Sequence, residues 1–214
     1  MRNYPLLDLR VSTPTLELRG ATDELLDRLA DVVRAGRTAA DPPPYDDPIS
    51  FYEPDPDLRV AKWLRAIWRG RGKADPDSWR LYLAVVVDGE PVGMQDIFGV
   101  GFSTFGTVTT FSWLSSDHRG RGLGREMREA VLHLAFDGLA AKEATSEAFV
   151  DNHGSNAISR RLGYEPDGTD WATRHGEPVV LNRWRLTRHT WEQHRRDDIR
   201  FENVDACQAL LSSR

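Results

Sequence analysis

The sequence predicts one domain of the α/β (α+β) class. Helical and strand-like patterns alternate along 214 residues, a length that suits a single hydrophobic core. In the middle of the chain, an apolar run leads directly into a glycine-rich turn and an amphipathic helix. A second, shorter helix then lies between two further strand patterns. This order is typical of a sheet that carries helices on its faces.

The first third of the chain predicts a short strand over residues 16–18 and then a helix. Thr22 is a suitable N-cap, acidic residues follow it, and Gly36 ends the pattern. The apolar stripe of this helix consists of Leu25, Leu26, Leu29, Val32 and Val33. Residues 41–48 are rich in proline and exclude regular helix or inner strand. A second helix is predicted over residues 58–69, with Trp63, Leu64, Ile67 and Trp68 as its large apolar residues.

The remaining elements follow from period, turn residues and apolar runs. Strands are predicted over residues 79–87, 92–100, 105–114 and 143–150, a long helix over 122–139, a hairpin over 171–186 and a basic segment over 188–200. Asp88-Gly89 is a hairpin turn signal between the first two strands. No internal repeat is visible.

The glycine-rich turn indicates a phosphorylated ligand. Glycines at 120, 122 and 124 stand between a strand and a helix, and arginines at 119, 121 and 125 surround them. Glycine allows close backbone approach, and a helix N-terminus offers unpaired N–H groups and partial positive charge. The spacing fits neither the P-loop, since no Lys-Ser/Thr follows, nor the dinucleotide fingerprint Gly-x-Gly-x-x-Gly. A turn that merely needs glycine is the alternative.

Two blocks of sequence together carry a family resemblance. Arg-x-x-Gly-x-Gly (Arg119, Gly122, Gly124) resembles the coenzyme A pyrophosphate loop of the GNAT N-acetyltransferase superfamily. Residues 151–164 resemble the later motif of that superfamily, in which an Asn follows a strand and Leu-Gly-aromatic ends a short helix. Asn152 or Ser155 is expected to cap that helix. Taken alone, the second block would also suit an ordinary capped helix.

The resemblance extends to one branch of the superfamily. The strand over residues 110–114 and the text Glu126-Met127-Arg128 look like the ribosomal-protein alanine N-acetyltransferases, and most like actinobacterial members of unassigned substrate, some of which transfer succinyl groups. The similarity runs from about residue 13 to 186, and residues 37–77 are poorly covered. Many GNAT enzymes carry a Tyr general acid where this chain has Ser159, so the usual acid is absent.

The resemblance implies a GNAT fold over residues 1–214 as a single domain. Its mixed, mostly antiparallel sheet has six to seven strands, splays between the fourth and fifth, and is flanked by about four helices. Residues 37–78 would form a variable acceptor-side segment, and residues 187–214 a C-terminal extension. The acyl thioester would lie in the wedge between the splayed strands.

The resemblance also implies which residues hold the acyl donor, acetyl-CoA or succinyl-CoA. The pyrophosphate would bind the amides of Arg119, Gly120, Arg121, Gly122, Leu123 and Gly124. Backbone groups of Trp113 and Leu114 would meet the pantetheine arm, although plain core packing is an equal interpretation of Trp113. Asn152 and Ser155 would lie near the thioester. No metal is expected, because the histidines lack the spacing of a metal site.

Acyl transfer to an amine needs an oxyanion donor, a route for the amine proton and a stable thiolate. The Leu114 N–H is the candidate donor to the oxyanion. Asp96, beside Gln95, is the preferred base because a carboxylate within an apolar strand invites a raised pKa. A structural Asp is the alternative. Glu126 is the second choice of base, and Ser159 is a weak candidate donor to the sulfur.

An amine-bearing acceptor, either a small molecule or a protein amine, is expected to bind beside the proline-rich segment. Tyr45, Phe51 and Tyr52, together with Gln95, are the candidate acceptor-binding residues, since aromatic groups near carboxylates suit a cation. The same aromatic surface is also a candidate homodimer interface, which is common in this branch.

Composition limits the classes of function. A net charge of −5 argues against broad nucleic-acid binding and favours cationic acceptors. The single Cys207 excludes an intramolecular disulfide and suits a reducing cytoplasm. Neither a signal peptide nor a membrane span is expected. Two hypotheses follow: an acyl-CoA-dependent N-acyltransferase, or a non-catalytic acyl-CoA-binding or regulatory module that kept the fold.

Overall fold

A computed structural model describes residues 4–46, 52–76 and 78–211. Its strands are β1 (Arg10–Ser12), β2 (Glu17–Gly20), β3 (Ser78–Val87), β4 (Glu90–Val100), β5 (Thr107–Leu114), β6 (Glu143–Phe149), β7 (Glu165–Arg174), β8 (Glu177–Thr187) and β9 (Arg200–Glu202). Its helices are α1 (Asp23–Arg34), α2 (Pro56–Arg71), α3 (Phe102–Phe105), α4 (Leu123–His133), α5 (His153–Arg161), α6 (Arg188–Glu192) and α7 (Val204–Leu211). A π-helical turn, Leu134–Gly138, continues α4.

The described strands form one sheet in the order β7-β8-β6-β5-β4-β3-β2-β1-β9. Every neighbouring pair is antiparallel except β5 and β6, which are parallel. These two strands pair only where residues 107–109 face residues 143–145, and they diverge beyond that point. The splay predicted between the fourth and fifth strands is therefore present. It lies between β5 and β6 in this numbering, because the additional strand β1 comes first in the chain. The facing edges of β5 and β6 are open over the rest of their length.

The two faces of the sheet carry separate cores. Alternate residues of β4 show the division: Ile97 packs into the core that includes α4, whereas Met94 packs into the core that includes α1 and α2. Helices α1 and α2 each bury one apolar stripe, as amphipathic patterning requires. Trp63 of α2 is fully buried in the second core, whereas Trp68 is exposed.

The sequence located most of these elements correctly. Thr22 caps α1, with its side chain accepting a hydrogen bond from Leu25 N, and Asn152 caps α5 in the same way. Gly163 follows α5 at φ 83°, the left-handed conformation expected of a C-terminal cap. The strand predicted from residue 105 begins at Thr107, because α3 occupies the residues before it.

The strand and helix counts were underestimated, since the described residues form nine strands and seven helices. The additional elements include β1 and β9, two three-residue strands that pair with each other at the edge of the sheet. The Asn203 side chain donates to Asp8 O at 2.7 Å, and Cys207 Sγ lies 3.6 Å from Pro5 O. The C-terminal segment therefore packs against the N-terminal edge of the sheet. Among the described residues, no helix has the length and apolar character needed to cross a bilayer.

Candidate functional site

A wedge-shaped cavity of about 320 Å³ opens between β5 and β6. It runs from the N-terminus of α4, where Gly124 lines it, to the first turn of α5, where Asn152 and Ser155 line it. Further lining comes from Thr38, Ala40, Asp41, Pro42, Pro44, Tyr45, Thr110, Phe111, Ser112, Trp113, Leu114, Arg119, Met127, Arg128, Glu147, Ala148, Phe149 and Ile158. The two sequence blocks that flank β6 thus meet at one cavity.

The glycine-rich turn presents backbone amides at the mouth of this wedge. Gly120 and Gly122 have φ values of 75° and 85°, a region that glycine tolerates and other residues rarely adopt. Within the described part of the chain, the amides of residues 120–124 donate to no other backbone carbonyl. Because α4 begins at Leu123, the helix adds its partial positive charge at the same point. This arrangement suits a diphosphate.

The arginines of the turn have different partners. The Arg119 guanidinium donates to the carbonyls of Leu114 at 3.0 Å and Thr38 at 3.1 Å, and also bonds the Ala39 carbonyl. Arg125 pairs with Glu129 at 2.7 Å, and Arg121 is exposed. Arg119 therefore anchors the segment that precedes the prolines to the end of β5, instead of adding free charge at the loop.

The open edge of β5 is defined by strand alternation. The Ser115 amide donates to Val92 O on β4, so the amides of Leu114 and Ser112 point to the opposite edge, into the wedge. By the same alternation, the Trp113 carbonyl points toward β4, where it lies 2.3 Å from the position a Cβ on Gly93 would occupy. Trp113 lines the cavity, but the direction of its carbonyl does not support the predicted contact of its backbone with the pantetheine arm.

Ser155 of helix α5 lines the wedge, whereas Ser159 of the same helix does not. Asn152 Oδ1 accepts a hydrogen bond from Ser155 N at 3.0 Å, which holds the first turn of the helix at the cavity. Ser159 lies one turn further along, is fully buried and does not line the cavity. Its predicted contact with the thioester sulfur is therefore not supported by its position.

A second cavity of about 550 Å³ lies on the other side of the strap formed by residues 37–46, on the face of the sheet that carries α1 and α2. Its lining consists of Tyr45, Asp46, Arg80, Phe98, Thr109, Thr110, Phe111, Glu147, Ala172 and Thr173. Four residues line both cavities: Tyr45, Thr110, Phe111 and Glu147. The two cavities therefore meet where β5 and β6 begin to diverge, a position referred to below as the apex.

The carboxylates predicted as bases occupy other positions. Asp96 is 2% exposed and receives two hydrogen bonds from Arg80, at 2.7 and 3.0 Å, and it lines neither cavity. The Gln95 side chain points to the opposite face and donates to Phe111 O at 3.0 Å, which ties β4 to β5. Glu126 bonds Thr15, away from both cavities. These positions favour structural roles for all three residues.

The predicted aromatic groups lie on the strap, at Tyr45, and beyond it, at Tyr52. Tyr45 stacks on Phe149 with ring centroids 4.6 Å apart, and burial raises the pKa of its hydroxyl above the ordinary value. The Tyr52 hydroxyl bonds the Pro44 carbonyl, and its ring lies 4.1 Å from that of His175. Phe51 was also predicted here and lies outside the described residues.

Sequence reasoning did not single out Glu147, Arg80 or Arg128. Glu147 borders both cavities, Arg80 lines the larger cavity, and Arg128 lines the wedge from below on α4. Each is a charged residue within an otherwise apolar strand or helix face, and that was the only available signal. Their convergence depends on which strands become neighbours, which local patterns do not reveal.

Comparison with known proteins identifies this architecture. The family profile described as acetyltransferase (GNAT) domain matches residues 15–165. The structure is similar to that of Mycobacterium smegmatis RimJ in complex with CoA-disulfide, with a TM-score of 0.72, 16% identity, and coverage of 98% of this chain and 99% of that one.

Two further structures share the fold. The Microcin C7 self immunity acetyltransferase MccE, in complex with acetyl-CoA and AMP, gives a TM-score of 0.63 and 14% identity over 81% of this chain and 93% of that one. RimL, the ribosomal L7/L12 alpha-N-protein acetyltransferase in complex with coenzyme A, gives a TM-score of 0.60 and 18% identity over 82% of this chain and 95% of that one. At these identities the likeness concerns the fold.

Proposed function

The chain belongs to the GNAT acetyltransferase family, and on this premise we propose that it transfers an acetyl or succinyl group from a CoA thioester to a primary amine. Transfer occurs by direct attack within a ternary complex. The observation that carries the proposal is the open wedge whose mouth presents the unpaired amides of residues 120–124 and whose apex joins a second cavity. One cavity suits the donor, and the other suits the acceptor.

The donor is proposed to enter along β5. Its pyrophosphate binds the amides of residues 120–124, and the Leu114 N–H meets the pantetheine arm, because Leu114 packs beside Gly124 at the mouth. The thioester lies deeper, toward Thr110. Ser112, two residues nearer the apex on the same open edge, is therefore a better placed oxyanion donor than Leu114. A fixed backbone N–H of this kind stabilises the oxyanion of the tetrahedral intermediate.

Glu147 is the proposed general base. It borders both cavities, so its carboxylate stands between the donor and the acceptor amine. The base takes a proton from the ammonium group, and the neutral nitrogen attacks the thioester carbonyl carbon. The carbon–sulfur bond of the tetrahedral intermediate then breaks, and the excess proton on the nitrogen passes to the departing sulfur. The Ser155 hydroxyl, at the donor side of α5, is the proposed hydrogen-bond donor to the departing thiolate. Holding both substrates together provides much of the rate acceleration.

The acceptor is proposed to be an amine that enters the larger cavity. Glu147 and Asp46 provide negative charge, and Tyr45, Phe98 and Phe111 provide aromatic surface, a combination that favours a cation on approach. RimL, which shares the fold, is a protein amine acetyltransferase, so a protein N-terminus is one candidate and a small amine is another. Because acyl-CoA donors are cytoplasmic metabolites, the proposed site of action is the cytoplasm.

Calorimetric titration with acetyl-CoA, succinyl-CoA and free CoA tests the donor site. The Gly124→Glu variant should abolish binding, since it places a carboxylate at the pyrophosphate position. Gly124→Ala is the size control, because a Cβ there meets its nearest atom at 3.5 Å, an ordinary contact. Gly72→Glu adds the same charge at an exposed glycine outside both cavities, where φ is −70° and a Cβ meets its nearest atom at 3.5 Å, and it should bind normally. Wild-type affinity in Gly124→Glu would contradict the assignment.

A further inference from the structure

Arg128 is a buried cation at the floor of the wedge. It is 5% exposed and lies in the second turn of α4. Its NH1 group donates to Ser146 Oγ at 3.0 Å, and its Nε has no partner. Among residues 4–46, 52–76 and 78–211, no carboxylate lies within salt-bridge distance of its guanidinium. The Arg80 guanidinium at the larger cavity, by contrast, pairs with the Asp96 carboxylate.

Two hydroxyl groups border this guanidinium. Ser146 accepts a hydrogen bond from it, and the Tyr164 hydroxyl interacts with both Arg128 and Thr110. The hydroxyls of Thr110 and Tyr164 are buried and make no hydrogen bond of good geometry. We refer to Thr110, Arg128, Ser146 and Tyr164 as the apex cluster.

The apex cluster lies where the donor must end. Thr109 and Thr145 form the last pair that joins β5 to β6, so Thr110 and Ser146 are the first residues past the divergence. A donor that enters at the glycine-rich turn and follows β5 reaches the cluster with its acyl group. A role for the cluster in donor binding rests on the proposed function, since it requires an acyl-CoA in the wedge.

A buried guanidinium whose partners are neutral hydroxyl groups is costly for the folded protein. Desolvation of a charged group opposes folding unless an opposite charge and further hydrogen bonds compensate it. A neutral residue of similar volume would be more stable at this position. An anion delivered by the ligand would supply the missing charge and would satisfy the hydroxyls of Thr110 and Tyr164.

We propose that the apex cluster binds the terminal carboxylate of a short dicarboxylic acyl group, which makes a succinyl-type thioester the preferred donor. The acyl carboxylate and the acceptor amine would bind on opposite faces of the sheet and would not compete for the same charged group. Ser146 and Glu147 are consecutive on β6, so their side chains point to opposite faces. The cationic cluster lies on the α4 face, and the carboxylate that serves the amine lies on the other.

Binding of matched donors tests this selectivity. Calorimetry compares succinyl-CoA with butyryl-CoA, which has the same chain length and no carboxylate, and with free CoA. The wild type should bind succinyl-CoA at least about tenfold more tightly than butyryl-CoA, as expected for a charge-assisted contact. Arg128→Met should remove that preference and leave butyryl-CoA affinity unchanged or higher. Arg185→Met, which removes an exposed arginine of β8 outside both cavities, should keep the preference.

Two milder variants keep the arginine in case Arg128→Met fails to fold. Thr110→Val and Tyr164→Phe should each reduce succinyl-CoA affinity about threefold to tenfold with little change for butyryl-CoA. Equal affinity of the wild type for the two donors, with normal binding of free CoA, would overturn this inference alone. An equal loss for both donors in Arg128→Met would assign Arg128 to general stabilisation of the thioester. If no thioester and no free CoA bound the wild type, the proposed function would fail instead.

Discussion

At the scale of single residues, two carboxylates compete for the role of base. Glu147 borders both cavities, whereas Asp96 is buried against the Arg80 guanidinium. Arg80 in turn lies over the rings of Tyr82, Phe98 and Phe111, at 5.2 to 5.5 Å from their centroids. Asp96 therefore fixes a cation that lines the larger cavity, and Glu147 is the carboxylate that we propose to stand beside the acceptor amine.

Glu147→Gln should lower kcat by about 100-fold or more near pH 7, within the range typical of lost general-base catalysis. Part of the loss should recover toward about pH 10, where a free amine deprotonates without help. Steady-state kinetics over this pH range, with a panel of amines, measures the effect.

Asp96→Asn is the matched comparison for that experiment. It should lower stability and raise KM for the acceptor, because Arg80 would keep its charge and lose its partner. Its loss of activity should not depend on pH. If Asp96→Asn, and not Glu147→Gln, showed the pH-dependent recovery, Asp96 would be the base that the sequence suggested.

At the scale of elements, the position of α5 depends on one buried side chain. Asn156 is 2% exposed and makes four hydrogen bonds. Its Nδ2 donates to the carbonyls of Phe149 and Asn152, both at 2.8 Å. Its Oδ1 accepts from Asn182 at 3.0 Å and from the Trp184 indole at 2.9 Å. One amide thus joins α5 to β6 and β8, and it holds the turn that presents Ser155 to the wedge.

Asn156→Ala should destabilise the fold by roughly 2–4 kcal/mol, since buried partners on β6 and β8 each lose a bond worth about 1–3 kcal/mol when left unsatisfied. CoA affinity should fall with it, because Asn152 and Ser155 lose their support. Urea unfolding and calorimetry measure the two effects. Asn182→Ala, which removes a single bond of the same network, is the control and should cost less. Equal costs for the two variants would contradict the central role of Asn156.

At the scale of the whole molecule, local sequence was sufficient for the glycine-rich turn and the cap of α5 but not for the larger cavity. The turn and the cap depend on neighbouring residues, so their residue types and spacing predicted them. The larger cavity, which we propose for the acceptor, combines Arg80 of β3, Glu147 of β6 and Tyr45 of the strap. These residues are separated along the chain, and only the order of strands in the sheet brings them together.

The same reasoning explains the misplaced assignments. Asp96 stands in an apolar run, which correctly indicated burial, but the run could not reveal that Arg80 lies beside it on β3. Ser159 stands where the family resemblance places the usual acid, yet its side chain is fully buried and it does not line the cavity, although its neighbour Ile158 does. The strands β1 and β9 have three residues each, too few for a period-2 pattern to be recognised.

The C-terminal segment packs against a buried histidine. His133, at the end of α4, packs against the rings of Trp191 and Phe201, with centroids 5.9 and 5.7 Å away. Burial lowers the pKa of His133, and this outweighs the opposing effect of Asp137, whose carboxylate lies 3.7 Å from Nε2. The neutral imidazole is therefore the form that the packed C-terminal segment accepts.

This pKa direction predicts how stability depends on pH. With a folded-state pKa below the unfolded value of about 6.5, the unfolded chain binds the proton more readily, so stability falls as pH decreases below about 6.5. Urea unfolding at about pH 7.5 and pH 5.5 should show a loss for the wild type and a smaller loss for His133→Phe, whose ring cannot be charged. Carboxylates whose pKa is lowered, such as Asp151, protonate only below about pH 4. They therefore do not contribute to a loss of stability between about pH 7.5 and pH 5.5. An equal loss in the two proteins would show that the attachment of the C-terminal segment does not depend on the charge of His133.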